Sequence, residues 1–586
     1  MLLLLASVAT ANEAQIFLDA YDSLYQRLYT LDANASWDAA TNVSDMNQGR
    51  ATAASQATAA FIGDPKLIAL ARSWRAREKE ITPLQLRQLD TILYNAGDAP
   101  GDQGQLVNSR IAAETKQRAV QDAFEYCLTP RGADGKCAAP LDANDIDLRL
   151  GTEIKAEDRL KTWTASKEIG VPLKAGLAEL RELRNGVAKS SGYSSYFGYQ
   201  VSEYGMTADE MMALLDQLNA DMAPLYKELH TWTKRQLAKK YSQPVPAGDI
   251  PAHWLPNRWG QEWGGLVASA NLDPYFKDKS PEWIVKSSEE FYVSMGFSPL
   301  PAIFWEKSDL YPVPEGQTRH KNSHASAWHL DLDQDIRSLM SVQPDAQWFG
   351  TSHHELGHIY YYVSYTRPEV PLTLRKGANR AFHEGIGELA NVAAFQPKYL
   401  QQLGILPKKT KNDATQQLLA EALEQTVAFV PFATGTMSRF EYELYEKNLP
   451  PDQWQKRWWE IVSQYQGIAV PDAARLTDPT LCDACTKTHI NDDPAQYYDY
   501  ALATVIKYQL HEHIATKILK QDPHNCNYYG RKDVGDFLKS ILDKGATEDW
   551  RKTLKDATGE ELSTRAMVAH FEPLRKWLVK ENQKKQ

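Results

Sequence analysis

From Thr207 to Trp232 apolar side chains recur every three or four residues: Met211, Leu214, Leu215, Leu218, Met222, Leu225 and Leu229. That period matches the turn of an α-helix and puts the whole set on one stripe, which has to be buried against a partner. Thr207 and Glu210 stand ahead of it in capping-box spacing, so the start of the helix is marked too. Pro224 lies inside the stripe and, lacking an N–H, predicts a kink. The period returns in PKLIALARSWRAREKE, where Leu67, Leu70, Ala71 and Trp74 share a face and charge occupies the other. Strand patterns are sparse; the best is ASAWHLDLD, residues 325–333, with partial alternation. No repeat, low-complexity linker or long charge block marks a boundary. The expectation is one large, mostly α-helical unit that a cleft could divide into lobes.

A formal net charge of -10 argues against nucleic acid as a partner. No apolar run reaches the roughly 18 residues that span a bilayer. The opening MLLLLASVATANEAQ combines a leucine run with the small-x-small pattern Ala9-Thr10-Ala11. It reads as a residual signal peptide over residues 1–11, ahead of a single domain over 12–586, and as a secreted or periplasmic protein. Of five cysteines, Cys127 and Cys137 flank a turn rich in glycine and could close a small loop. Cys482 and Cys485, in CDAC, lack a second pair at zinc-finger spacing, which favours a local disulfide or two free thiols. Cys526 is left over.

Residues 349–365, FGTSHHELGHIYYYVSY, contain the motif H-E-x-x-H at His354, Glu355 and His358. Residues four apart lie on one helical face, so both imidazoles can reach one metal ion. Glu355 sits where it can take a proton from a water the metal activates, and His353 is one position off that face. A catalytic zinc needs a third protein ligand and an open position. RAFHEGIGELANVAAFQP, residues 380–397, reads as a helix with Glu384 and Glu388 four apart. One could bind the ion while the other accepts the free N–H of a ligand histidine; spacing alone does not say which.

HHELGHIYYYVSY followed by LRKGANRAFHEGIGE resembles the zinc-binding region of the angiotensin-converting-enzyme family, the peptidyl-dipeptidase A type. NRWGQEW at 257–263, SHASAW at 323–328, VPF at 430–432, YQGI at 465–468, KTHI at 487–490 and YYDYALATVIKYQLHEHI at 497–514 follow in the family's order. The resemblance implies a mostly α fold, a large gluzincin-like helical zincin with two lobes around a deep channel and a small β element near the zinc. It also implies one Zn2+ per chain held by His354, His358 and Glu384, with Glu355 as general base and Glu388 supporting a ligand histidine. The family usually has aspartate at that last position, and the loop between His358 and Glu384 is slightly longer than usual.

By the same resemblance, Tyr500 and His489 stabilise the developing oxyanion, and Gln261, Lys487 and Tyr497 bind the C-terminal carboxylate of an oligopeptide. One extra residue separates His489 from Tyr500, so the tyrosine is placed by aligning backwards from QLHEH, with Tyr498 and Tyr497 as the alternatives. His324 and His489 donate to the carbonyl between the last two substrate residues, and the backbone of Ala325 and Ala327 pairs with the peptide as an added strand. Carboxypeptidase relatives carry arginine where this chain has Gln261, which points to release of dipeptides. The arginines that hold chloride in many animal relatives are replaced by Asp499 and Val462, so chloride is not expected to be required. The Cys127–Cys137 bridge is one the family shares, whereas Ser323 stands where a second would begin. The competing readings are a carboxypeptidase or oligopeptidase on the same scaffold, a catalytically inactive binding homologue, and a structural zinc site.

Overall fold

A computed structural model describes residues 2–266, 272–322, 324–408, 414–424 and 426–584. Ser323, where a family disulfide would begin, lies outside the described residues. The fold is mostly helical, with two two-stranded sheets among the described residues. Contacts divide the chain into two compact units, each assembled from three segments.

The first unit comprises Met1–Gly104, Asn271–Lys411 and Leu502–Ser563. Its first helix, Leu2–Thr41, takes in the leucine run and continues well beyond it. Ala14, Leu18 and Tyr21 of that helix form a core cluster with Ala71, Trp74, Leu89 and Ile92. Leu70 does not join it: the side chain sits at the edge of its stripe and stays 43% exposed. Thr82 and Gln85 close a capping box at the start of Pro83–Gly97. The predicted strand is present as Ser326–His329, antiparallel to Ile336–Leu339, with Ala327 opposite Ser338. Among the described residues, no helix is long and apolar enough to cross a membrane.

Two helices of this unit, Ala346–Tyr365 and Arg380–Ala394, pack closely enough to require glycine at the crossing. A Cβ on Gly357 would stand 3.0 Å from the Cα of Gly387, and one on Gly387 would meet the His354 ring at 2.8 Å. Glycine at both positions lets the second helix reach the first.

The second unit comprises Gln105–Ala270, Asn412–Ala501 and Thr564–Gln586. Its longest helix, Ala208–Lys240, begins at the Thr207/Glu210 capping box and is continuous through Pro224. Pro224 faces outward, while Met211, Leu215, Leu218, Met222, Leu225 and Leu229 are buried and Leu214 is partly buried. The helix packs on Arg565–Gln583, where Trp232 and Trp577 meet with ring centroids 6.1 Å apart. Gly467, in the left-handed region at φ 60°, ends the helix Trp454–Gln466 and turns the chain into Ile468–Ala469. Those residues pair in parallel with Ile250–Pro251, just ahead of NRWGQEW.

Candidate metal centre and carboxylate cluster

The metal helix starts where Asp345 accepts a hydrogen bond from the Trp348 N–H at 2.7 Å. Two turns on, His354 and His358 present their Nε2 atoms 3.0 Å apart. The second helix is capped by Asn379, which accepts from the Phe382 N–H at 2.8 Å. It brings Glu384 Oε2 to 3.7 Å from His354 Nε2. The ligand atoms of His354, His358 and Glu384 all lie within 4.8 Å of one another. A tetrahedral zinc with bonds of 2.0–2.2 Å has ligand–ligand edges of about 3.3–3.6 Å, so this donor set, two nitrogens and a carboxylate oxygen, fits the ion.

The other helix-borne glutamate faces the opposite side of the same ring. Glu388 Oε1 lies 3.4 Å from His354 Nδ1, and its Oε2 accepts from Lys507 Nζ at 3.0 Å. The geometry thereby separates two residues that spacing could not: Glu384 faces Nε2, and Glu388 faces Nδ1. Burial alone would raise the Glu388 carboxyl, but Lys507 and His354 hold it well below the usual range. Burial works against charge on His354, yet its bond to Glu388 and the carboxylates of Glu388, Glu355 and Glu384 carry it up to about 9.

Two supporting residues escaped the sequence reading. His383 Nδ1 lies 2.7 Å from His358 Nδ1, and its ring stacks on Tyr361. Burial above all lowers His383 to about 3 and His358 well below its ordinary value, so both rings are neutral. A proton on His358 Nδ1 shared with His383 leaves His358 Nε2 free as a lone-pair donor. Lys507 lies 119 positions from Glu388 and is 3% exposed. Only the adjacency of His383 to Glu384 hinted at the first, and nothing in the sequence pointed to the second.

Glu355 Oε2 is buried and meets no hydrogen-bond partner among the described residues. Burial pushes the carboxyl up to about 7; Glu384 adds to the rise and His354 opposes it. A base poised near neutrality beside a metal site is what proton transfer from water needs. His353 points away, bonded to the Phe349 carbonyl at 2.8 Å and near Ser288 and Tyr399 hydroxyls. In the adjacent hairpin, the Ala327 carbonyl accepts from Tyr362 OH at 3.2 Å. His324 is exposed and its N–H donates to Asn322, and Ala325 is partly buried at the strand's start.

The second unit holds the other sequence-predicted residues in one cluster. Lys487 Nζ donates to Gln261 Oε1 at 2.6 Å, and Tyr497 OH lies 3.4 Å from the same oxygen. The ammonium stands 4.3 Å above the Trp259 ring. Burial lowers Lys487 to about 7, with Glu262 working the other way. His489 packs edge-on against Tyr497 and Tyr500, at centroid distances of 5.0 and 5.9 Å. Tyr498 instead packs into Phe197 and Tyr204, so Tyr500 and Tyr497 are the tyrosines that share a face with His489. Asp499 is buried and accepts from Tyr204 OH at 2.5 Å, and Val462 is also buried. Disulfides join Cys127 to Cys137 and Cys482 to Cys485, and Cys526 is a buried free thiol.

An H-E-x-x-H helix joined by a glutamate from a neighbouring helix, in a mostly helical chain, is the architecture of a zincin metallopeptidase. The peptidase M2 profile, described as angiotensin-converting enzyme, matches residues 8–586, and the chain belongs to that family. It is 29% identical over 590 residues to an angiotensin-converting enzyme of Theromyzon tessulatum, covering 97% of this chain and 92% of the relative. It is 28% identical over 600 residues to that of Mus musculus and 29% over 605 residues to that of Rattus norvegicus, each match covering 97% of this chain. The chain spans 44% of the length of these two relatives.

Proposed function

We propose that the protein is a zinc-dependent peptidyl-dipeptidase that releases dipeptides from oligopeptides with a free C-terminus. The observation that carries this reading is the convergence of His354, His358 and Glu384 around one point, with a Glu355 oxygen beside them that has no hydrogen-bond partner among the described residues. Zinc, when bound there, polarises the scissile carbonyl and lowers the pKa of a water. Glu355 takes the proton from the attacking water and returns it to the leaving amine. Tyr500 OH and His489 donate to the carbonyl oxygen as negative charge builds on it. Lys487, Gln261 and Tyr497 grip the terminal carboxylate, which sets the cut at the second bond from the end. His324 and the backbone of Ala325 and Ala327 align the peptide as an added strand.

Residues 12–586 act as one peptidase, and residues 1–11 belong to an export signal. Two disulfides favour the oxidising setting of a secreted or periplasmic protein. Activity is independent of chloride: Asp499 puts a carboxylate, already bonded to Tyr204, where an anion-holding arginine would stand. Mass analysis of products from a defined peptide, with and without chelator, tests the function. Successive losses of two C-terminal residues, abolished by chelation and restored by zinc, are expected; single-residue losses or internal cuts would overturn it.

A further inference from the structure

The Cys482–Cys485 bridge has no part in the chemistry above, yet it lies two residues before Lys487 and four before His489. We infer that this disulfide is a positioning element for substrate recognition: it sets the backbone from which Lys487 reaches the substrate's terminal carboxylate. The inference rests on the carboxylate-binding reading of Lys487.

The stretch is anchored on every side. Both cysteines are buried, and the Cys485 N–H donates to Cys482 Sγ at 3.2 Å. Between them Asp483, fully buried, accepts from Trp459 Nε1, Gln455 Nε2 and Arg475 Nη2 at 2.8, 3.0 and 2.6 Å. The Cys485 and Lys487 carbonyls both accept from Asn491 Nδ2, at 2.9 and 3.1 Å. Thr486 Oγ1 accepts from Trp259 Nε1 at 3.0 Å, the ring over which the Lys487 ammonium sits. Asp483 fixes the first half of the loop and Asn491 the second; the disulfide is the covalent link between the halves. A ring this short removes little entropy from the unfolded chain, so its consequence is local conformation more than global stability.

The test is the zinc-loaded full chain carrying C482S/C485S, assayed on a peptide acid and its C-terminal amide. The KM for the acid is expected to rise about tenfold, the size of one misplaced charge-assisted hydrogen bond. The kcat and the amide kinetics should hold to within about twofold. C127S/C137S, which opens the other bridge, should leave the acid preference intact. C482A/C485A, which leaves no buried hydroxyl, is the second variant should the serine pair misfold. A folded variant that keeps the wild-type preference for the acid overturns the inference. Wild type that does not distinguish acid from amide overturns the carboxylate-binding reading itself, and the inference with it.

Discussion

Lys487 sets both a magnitude and a pH dependence. The residue is 3% exposed, and its ammonium lies 2.6 Å from Gln261 Oε1 and 4.3 Å above the Trp259 ring. Methionine has nearly the same reach and no charge, so Lys487→Met preserves packing and removes the cation. A hydrogen bond to a charged group contributes about 1.5–3 kcal/mol. Its loss predicts a fall of about 10- to 150-fold in kcat/KM for a peptide acid. The amide of the same peptide offers no carboxylate and should lose less than about twofold.

The pH profile adds a second signature. Since burial lowers Lys487 to about 7, kcat/KM of the wild type should fall as pH rises through that value, because the neutral amine no longer holds the carboxylate. Stability runs the other way. The folded pKa lies below the unfolded one, so the unfolded chain binds more protons between about 7 and 10.5, and wild-type stability rises across that window. Lys167, also lowered to about 7 by burial, adds the same trend and remains in the variant. Lys487→Met should therefore be at least as stable as wild type below pH 7, with its advantage shrinking towards pH 10. Initial rates on the acid–amide pair from about pH 6 to about pH 9, with parallel thermal melts, measure all three effects. Equal losses on acid and amide, or an alkaline limb unchanged in the variant, would refute the reasoning.

Glu355→Gln should cut kcat by about 10²–10⁴ while zinc content by elemental analysis stays at wild-type level. Glu388→Ala should weaken zinc binding about 10- to 100-fold in a chelator competition, because His354 Nδ1 loses its acceptor. Unchanged affinity would remove Glu388 from the site. Gly387→Ala should cost about 1–3 kcal/mol by driving a methyl into the His354 ring, read as a weaker zinc affinity and a lower Tm. Sodium chloride at constant ionic strength should leave turnover within about twofold, since Asp499, bonded to Tyr204 OH, supplies no cation to hold an added anion.

What the sequence determined was local. The repeat of apolar residues fixed the helix Ala208–Lys240, its capping box fixed the start, and the four-residue spacing put His354 and His358 on one face. These follow from the backbone period, which every sequence carries within itself. The family motifs likewise marked Lys487, Gln261 and Tyr497, which the fold gathers into one cluster. Contacts between distant segments needed the tertiary structure. Spacing left Glu384 and Glu388 equivalent; the crossing of two helices at Gly357 and Gly387 gives each its own side of the His354 ring. Lys507 reaches Glu388 across 119 positions, and Leu70 stays 43% exposed although it shares the stripe of Leu67, Ala71 and Trp74. Such pairings depend on where whole elements pack, and a local pattern constrains the face of a helix without naming what that face will meet.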